Sequence, residues 1–339
     1  MNRVRILVVR NDKLGDFMLA WPALALIKRS MPHAHISVLV PPYTQSLAAL
    51  CPWLDAVLSD PADLPQVHHD RFDAVLTLFS TGRIGWQVFK GRIPLRVAPA
   101  TKWAQWLYNV RVVQRRSRSE KPEYVYNLDL AEVLLQRLRV QPVVSKAPYW
   151  PVSVQTVALE RERLAQKLGL NLHRPWAFVH SGSGGSANNL SVAQYAALVT
   201  AINQRRDSRL PAFQWVYTCG PGEEAKAEEL SQRCSPLGGV VYRSTDGLAA
   251  FAQSLSAAQL VIAGSTGPLH VAGALDVPTV GFFPGKRSST ALRWRPCNSE
   301  GRTLGFSPPP SHADQVDMST IDTTACAYQV VDWYQALAS

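Results

Sequence analysis

The sequence predicts an α/β protein built from two Rossmann-like parallel-sheet domains in tandem. In the first half, short runs rich in Val, Ile and Leu at residues 4–9, 36–40 and 74–79 alternate with longer stretches of helical period such as 19–28. That alternation is the pattern of βαβ units. It restarts in the second half, with strand-like runs at 176–180, 214–218, 260–263 and 279–283, each followed by Gly, Ser or Pro and then a helical stretch. The chain has 339 residues, 47% of them hydrophobic, more apolar material than one core usually organises.

Arg3 and Arg5 precede the first apolar run, but Arg10, Asp12, Lys13 and Asp16 follow it at once without a small-residue cleavage site, so this run is expected to be the first strand of a folded domain and not a signal peptide. No unbroken apolar run reaches the ~18 residues that a membrane span needs. Residues 141–151 hold three prolines and few charges, marking the end of the first domain. A helix at 156–168 opens the second. The expected division is 1–155, 156–322 and a terminal helix, 323–339, folding back onto the first domain. A Pro- and Ser-rich loop at 305–312 precedes that helix.

Five cysteines, Cys51, Cys219, Cys234, Cys297 and Cys326, lie far apart without a CxxC pair. This argues against a zinc ribbon or a disulfide framework and for a reducing, cytoplasmic setting. The adjacent His68, His69 and Asp70 sit in a polar loop before a strand and make a poor metal-ligand set. A net charge of +10 and a pI of about 9.6 favour anionic partners. The most basic stretch contains Arg83, Lys90, Arg92, Arg96, Lys102, Arg111, Arg115, Arg116, Arg118 and Lys121, with Trp86, Trp103, Trp106 and Tyr108 interleaved. Cations beside such aromatics suit a lipid-headgroup surface or an anionic acceptor, the alternative being a solvated face. No nucleic-acid-binding module accompanies the charge, so nucleic acid is not expected as a partner.

Four loops carry candidate chemistry. After the first strand comes NDKLGDFMLAWPALALIKRSMP, residues 11–32, at the carboxyl end where open α/β sheets gather ligands. Gly15 allows close backbone approach, and Asp16 opens a helix, where it either caps free N–H groups or acts as a general base toward a hydroxyl. Asp12, four residues earlier, is equally placed by spacing. The segment LVIAGSTGPLHVAGA, residues 260–274, reads as a strand, a small-residue turn and a helix with Pro268 at its first position. The N–H groups of Thr266 and Gly267 and the hydroxyls of Ser265 and Thr266 offer a diphosphate seat, with His270 in the first turn. No P-loop lysine is present. HSGSGGSANN, residues 180–189, is a further glycine-rich turn after a strand. CGPGEEAKAEEL, residues 219–230, sets Glu223 and Glu224 at a helix start, to accept from ribose hydroxyls or complement the helix dipole.

Together these stretches resemble the ADP-heptose:lipopolysaccharide heptosyltransferases of glycosyltransferase family 9. The resemblance is carried by RNDKLGDFMLAWPALALIKRSMP and GSTGPLHVAGALDVPTVGFFPG in that order, with HSGSGGSANN between them. It implies a GT-B architecture, two Rossmann-like domains facing a central cleft, with acceptor on the N-terminal domain and nucleotide sugar on the C-terminal one. It further implies an inverting, metal-independent transferase without cofactor, moving heptose from ADP-heptose to a lipopolysaccharide core or related glycan. The chain would then meet a nucleotide sugar and an anionic glycolipid, as a cytoplasmic protein peripheral to the inner membrane. Asp16 becomes the expected general base. Asp12, Lys13, Gly15, Arg115 and Arg116 are the acceptor-side candidates. Ser183, Gly184, Asn188, Glu223, Glu224, Ser265, Thr266, Gly267, Pro268 and His270 are the donor-side candidates. Two positions depart from the family pattern. Asn188, Asn189 and Leu190 stand where many members have Lys followed by an aromatic, and Ser265 stands where many have Asp. These departures imply an altered donor, compensation by Lys286 or Arg287, or reduced activity. A different acceptor, or nucleotide-sugar binding without catalysis, are the competing readings.

Overall fold

The computed structural model describes residues 3–101, 103–185, 188–206 and 212–338. The chain divides into two compact units, Met1–Trp150 and Pro151–Ser339. The division falls at the prolines of 141–151, five residues before the boundary the sequence predicts, because the first helix of the second unit begins at Val154, capped by Ser153.

The first unit holds β1 (Arg5–Val9), β2 (His35–Val40), β3 (Ala56–Ser59), β4 (Ala74–Thr77), β5 (Leu95–Pro99) and β6 (Val110–Val112), and the helices α1 (Leu14–Met18), α2 (Trp21–Ser30), α3 (Gln45–Ala48), α4 (Gly82–Lys90) and α5 (Glu123–Arg137). Its strands lie in the order β3-β2-β1-β4-β5-β6, with every pairing parallel. This is the doubly wound order with its switch point between β1 and β4. β1 and β4 are buried almost throughout because helices cover both faces of a parallel sheet. α2, apolar nearly all round, packs against α5.

The second unit holds α6 (Val154–Leu168), β7 (Trp176–His180), α7 (Val192–Arg205), β8 (Gln214–Cys219), α8 (Glu224–Arg233), β9 (Val240–Arg243), α9 (Gly247–Ser254), β10 (Leu260–Gly264), α10 (Gly267–Ala274), β11 (Thr279–Phe282), β12 (Thr303–Phe306) and α11 (Thr323–Ala338). Its order, β12-β11-β10-β7-β8-β9, repeats that of the first sheet, all parallel, with the switch point between β7 and β10. A capping box of Ser191 and Gln194 starts α7. The terminal helix corrects an expectation. α11 packs on α7, and its Cys326, Ala327, Val330 and Val331 join the core that holds Tyr195, Trp215 and Phe282, so it completes the second unit. No helix among the described residues is long and apolar enough to cross a membrane.

Candidate functional site

In each unit the chemistry gathers at the carboxyl ends of the strands beside the switch point, and each is described in its own frame. In the first unit, β1 runs into Arg10, which is 2% exposed. Its guanidinium donates from Nε to Asp12 (2.9 Å) and from Nη1 to Glu123 (3.0 Å) and Asn127 (3.4 Å) at the start of α5. From Nη2 it donates to Asp16. Asn127 in turn donates to the carbonyl of Leu19 (2.9 Å), and Arg116 donates to Glu123 (2.7 Å). Two guanidinium groups thus bind three carboxylates. Burial opposes the charge on Arg10, but Asp12, Asp16 and Glu123 outweigh it and raise its pKa. Burial dominates at Asp12 as well. Partly offset by Arg10 and reinforced by Asp16, it raises that carboxyl to about 6.

A second buried carboxylate, Asp60, follows β3. It accepts from Asn11 (2.6 Å) and from both Nη atoms of Arg83 (2.5 and 2.6 Å). Burial would raise its pKa, and these donors lower it below the usual range. Tyr43 donates to the Asp12 carbonyl (2.8 Å), pinning the loop from the β2 side.

In the second unit, the turns after β7, β8 and β10 adjoin because these strands are neighbours. Glu223 ties two of them. Its Oε1 accepts from the Gly184 N–H (2.7 Å), its Oε2 from the Gly220 N–H (3.4 Å), and His180 Nε2 lies 3.5 Å from Oε2. A Cβ on Gly182 would displace the Glu223 carboxylate from this place, and Gly184 and Gly185 have φ of 52° and 69°. Burial works against the Glu223 charge, but the amides of Gly184, Gly220 and Ser183 and the nearby His180 lower its pKa. Burial lowers that of His180, whose Nδ1 lies 3.0 Å from the Thr218 hydroxyl. Asn189 ties the β7 turn to β10. It donates to the carbonyls of Ser181 (3.1 Å) and Gly182 (3.2 Å), accepts from Tyr195 (2.7 Å), and fills the space a Cβ on Gly264 would need.

A model of glycosyltransferase family 9 (heptosyltransferase) matches residues 144–320. A protein of Haemophilus influenzae, provisionally described as a glycosyltransferase, is 44% identical over 326 residues, covering 94% of this chain and 93% of that protein. The chain belongs to glycosyltransferase family 9. Two solved structures share its fold at 15% identity. The family 9 glycosyl transferase of Veillonella parvula has a TM-score of 0.76, with 100% of this chain and 99% of that one covered. The E. coli ADP-heptose lps heptosyltransferase II has a TM-score of 0.74, with 99% and 100% covered. The paired doubly wound sheets are those of the GT-B type.

For this family 9 glycosyltransferase the structure revises several local expectations. Asp16 is the third residue of α1, whose start carries no side-chain cap, and its carboxylate is taken by Arg10 instead of free helix N–H groups. Gly15 lies inside α1 and not in a tight turn, Lys13 precedes that helix at the exposed surface, and Asp12 sits beside Asp16 on the same guanidinium. Arg115 is exposed, whereas Arg116 is committed to Glu123 and Gln114 (2.9 Å). On the donor side, Gly267 is the first residue of α10 and Pro268 the second. The Thr266 N–H, expected to be open, is consumed by the Gly264 carbonyl (2.7 Å). That leaves Gly267 and the first turn of α10 as the backbone donors, as at any helix start. Ser265 remains half-buried beside them. His270 is 2% exposed, burial lowers its pKa to about 4, and its Nδ1 has no partner among the described residues, so it is neutral at physiological pH. Asn188 turns to the Val316 carbonyl (3.2 Å). Ser183 stays half-buried, Glu224 begins α8, and Lys286 and Arg287 lie exposed after β11, the strand next to β10. Ser186 and Ala187 of the glycine-rich turn and Lys102 of the basic stretch lie outside the described residues.

Sequence reasoning missed Arg10, Glu123, Asn127, Asp60 and Asn189. Arg10 and Asn189 stand inside the motifs already singled out, so a search for the partners of each motif carboxylate and turn would have reached them. Glu123 and Asn127 are more than a hundred residues from Arg10, and nothing local announces them.

Proposed function

We propose that this family 9 glycosyltransferase moves a heptose from ADP-heptose to an anionic glycolipid acceptor of the lipopolysaccharide-core type, with inversion and without a metal ion or cofactor, at the cytoplasmic face of a membrane. The observation that carries the reading is the Arg10 clamp. Asp16 is held at the carboxyl end of β1 by a buried guanidinium shared with Asp12 and Glu123. A carboxylate fixed in one orientation in this way suits a base that takes a proton as the transition state forms.

In the proposed reaction Asp16 accepts the proton of an acceptor hydroxyl as that oxygen bonds to the anomeric carbon. The bond from that carbon to the diphosphate oxygen breaks with its electron pair leaving on the nucleotide. Backbone N–H groups at the start of α10 meet this charge, with Lys286 and Arg287 as the nearby cations. Glu223 and Asn189 hold the glycine-rich turn in shape for the donor. Asp12, Asp16 and Glu123 are engaged by Arg10 in this reading, and metal independence is tested by the EDTA arm below.

The test is direct. Purified protein is incubated with ADP-heptose, in parallel with other nucleotide sugars, and with a truncated lipopolysaccharide core, with and without EDTA. Mass and anomeric configuration of the product are then read. A heptosylated core of inverted configuration, unaffected by EDTA, is expected. Donor binding without transfer or hydrolysis would favour a non-catalytic role, and transfer to a different acceptor would replace the acceptor assignment.

A further inference from the structure

Residues 74–119 contain nine Lys and Arg and no Asp or Glu. In the fold this stretch builds a surface from two adjoining elements. α4 buries Ile84, Gly85 and Val88 and turns Trp86 and Phe89 outward, 58% and 46% exposed, their rings 6.1 Å apart. The 3-10 turn Trp103–Leu107 lies against α4 at its glycines. A Cβ on Gly82 would come within 2.6 Å of the Trp103 ring, and one on Gly85 within 2.9 Å of Leu107. That close packing leaves Trp103 and Trp106 protruding beside α4, 68% and 72% exposed. Cations rim the ridge. The Arg111 guanidinium stacks 4.5 Å from the centre of the Trp106 ring and that of Arg96 5.7 Å from Phe89, while Lys90 and Arg92 are exposed at the end of α4.

We propose that this aromatic ridge is a docking surface for a lipid bilayer with anionic headgroups. Four large exposed aromatics on two adjoining elements amount to an apolar area that a freely soluble surface rarely carries. Tryptophan in particular prefers the interface between headgroup and acyl chain. The surrounding charge complements anionic headgroups, each cation near the surface contributing about 5-fold to partitioning. The same charge disfavours a second copy of this chain as the occupant, since like would face like on a molecule of net charge +10. Single-stranded nucleic acid would also meet cations and rings, but two of the rings already carry a guanidinium on one face, leaving less area for stacked bases. The surface extends the membrane-facing part of the proposed function, and its test needs no turnover.

The full chain is mixed with vesicles of neutral phosphatidylcholine, or of the same lipid with 30% phosphatidylglycerol, and sedimented at low and high salt. Binding to anionic vesicles at least 10-fold above neutral ones, weakened by salt, is expected. The double variant Trp103→Ala, Trp106→Ala should lose on the order of 10-fold in partitioning. Because Trp103 also packs on Gly82, the exposed pair Lys90→Glu, Arg92→Glu is tested beside it, with folding checked by circular dichroism. It should lose on the order of 100-fold or more, two cations being replaced by two anions. Equal binding to neutral and anionic vesicles, anionic binding unchanged in the charge-reversed variant, or displacement from vesicles by a short oligonucleotide at lower concentration than by soluble phosphoglycerol would each overturn the assignment. If the ridge docks as proposed while heptose transfer fails, the surface stands and the donor reading falls.

Discussion

Asp12→Asn should remove a defined pH dependence of stability. The Asp12 carboxyl has a pKa of about 6 in the folded protein against an ordinary 3.8, because burial beside Asp16 outweighs its pairing with Arg10. Folded protein therefore binds this proton more tightly than unfolded chain does. Between pH 4 and 6 the unfolded chain has released it while the folded protein still holds it, so the stabilisation, fully present below pH 4, is lost as pH rises through 6. The gap between 3.8 and 6, at about 1.4 kcal/mol per pH unit, amounts to about 3 kcal/mol. Asparagine retains an acceptor oxygen for Arg10 Nε but does not titrate. Urea unfolding of variant and wild type, followed by circular dichroism from pH 3 to 7, should show the difference between them moving by about 3 kcal/mol in the variant's favour as pH rises. A difference that stays flat, or moves the other way, refutes the claim that burial outweighs the pairing with Arg10, because a carboxyl satisfied by Arg10 would have a depressed pKa and the opposite slope.

Arg10→Met should destabilise the protein by about 3–5 kcal/mol, since it leaves Asp12, Asp16 and Glu123 without their shared cation. Adding Glu123→Gln should recover part of that loss in the same unfolding assay, and a double variant no more stable than the single one would contradict the electrostatic explanation. Glu223→Gln should raise the KM for the nucleotide donor on the order of 10-fold with kcat little changed, as the charge-assisted bond from Gly184 weakens. Hydrogen exchange at Gly184 and Gly220 should quicken in that variant, a change that a role confined to touching the donor would not produce.

The fold was legible where strands are buried on both faces. β1, β2, β4, β7, β8, β10 and β11 are largely buried and rich in apolar residues, and each stood out in the sequence. β3, β5, β6, β9 and β12 did not. β3, β6, β9 and β12 are edge strands and β5 lies one place in from the edge; all are three to five residues long, partly exposed and in several cases interrupted by residues such as Arg96, Arg111 and Arg243, so neither a long apolar run nor strict alternation marks them. The turns at the strand ends were also readable, because glycines and hydroxyl residues concentrate there. Their internal bonding was not. Whether Glu223 points to a ligand or to the Gly184 amide depends on how closely β7 and β8 pair, and the Arg10 cluster depends on α5 returning Glu123 and Asn127 to the end of β1. For α11, the helical period was plain, but the face it covers was decided by the fit of Val330 and Val331 to the core of the second unit.

Everything proposed about catalysis turns on the carboxylate that Arg10 orients. Single-turnover heptose transfer by Asp16→Asn, with donor affinity measured on the same sample, isolates it. Transfer should fall by two to four orders of magnitude, about the contribution of a positioned general base, while ADP-heptose binds as in the wild type. Transfer within a few-fold of wild type by the folded variant would contradict the assignment.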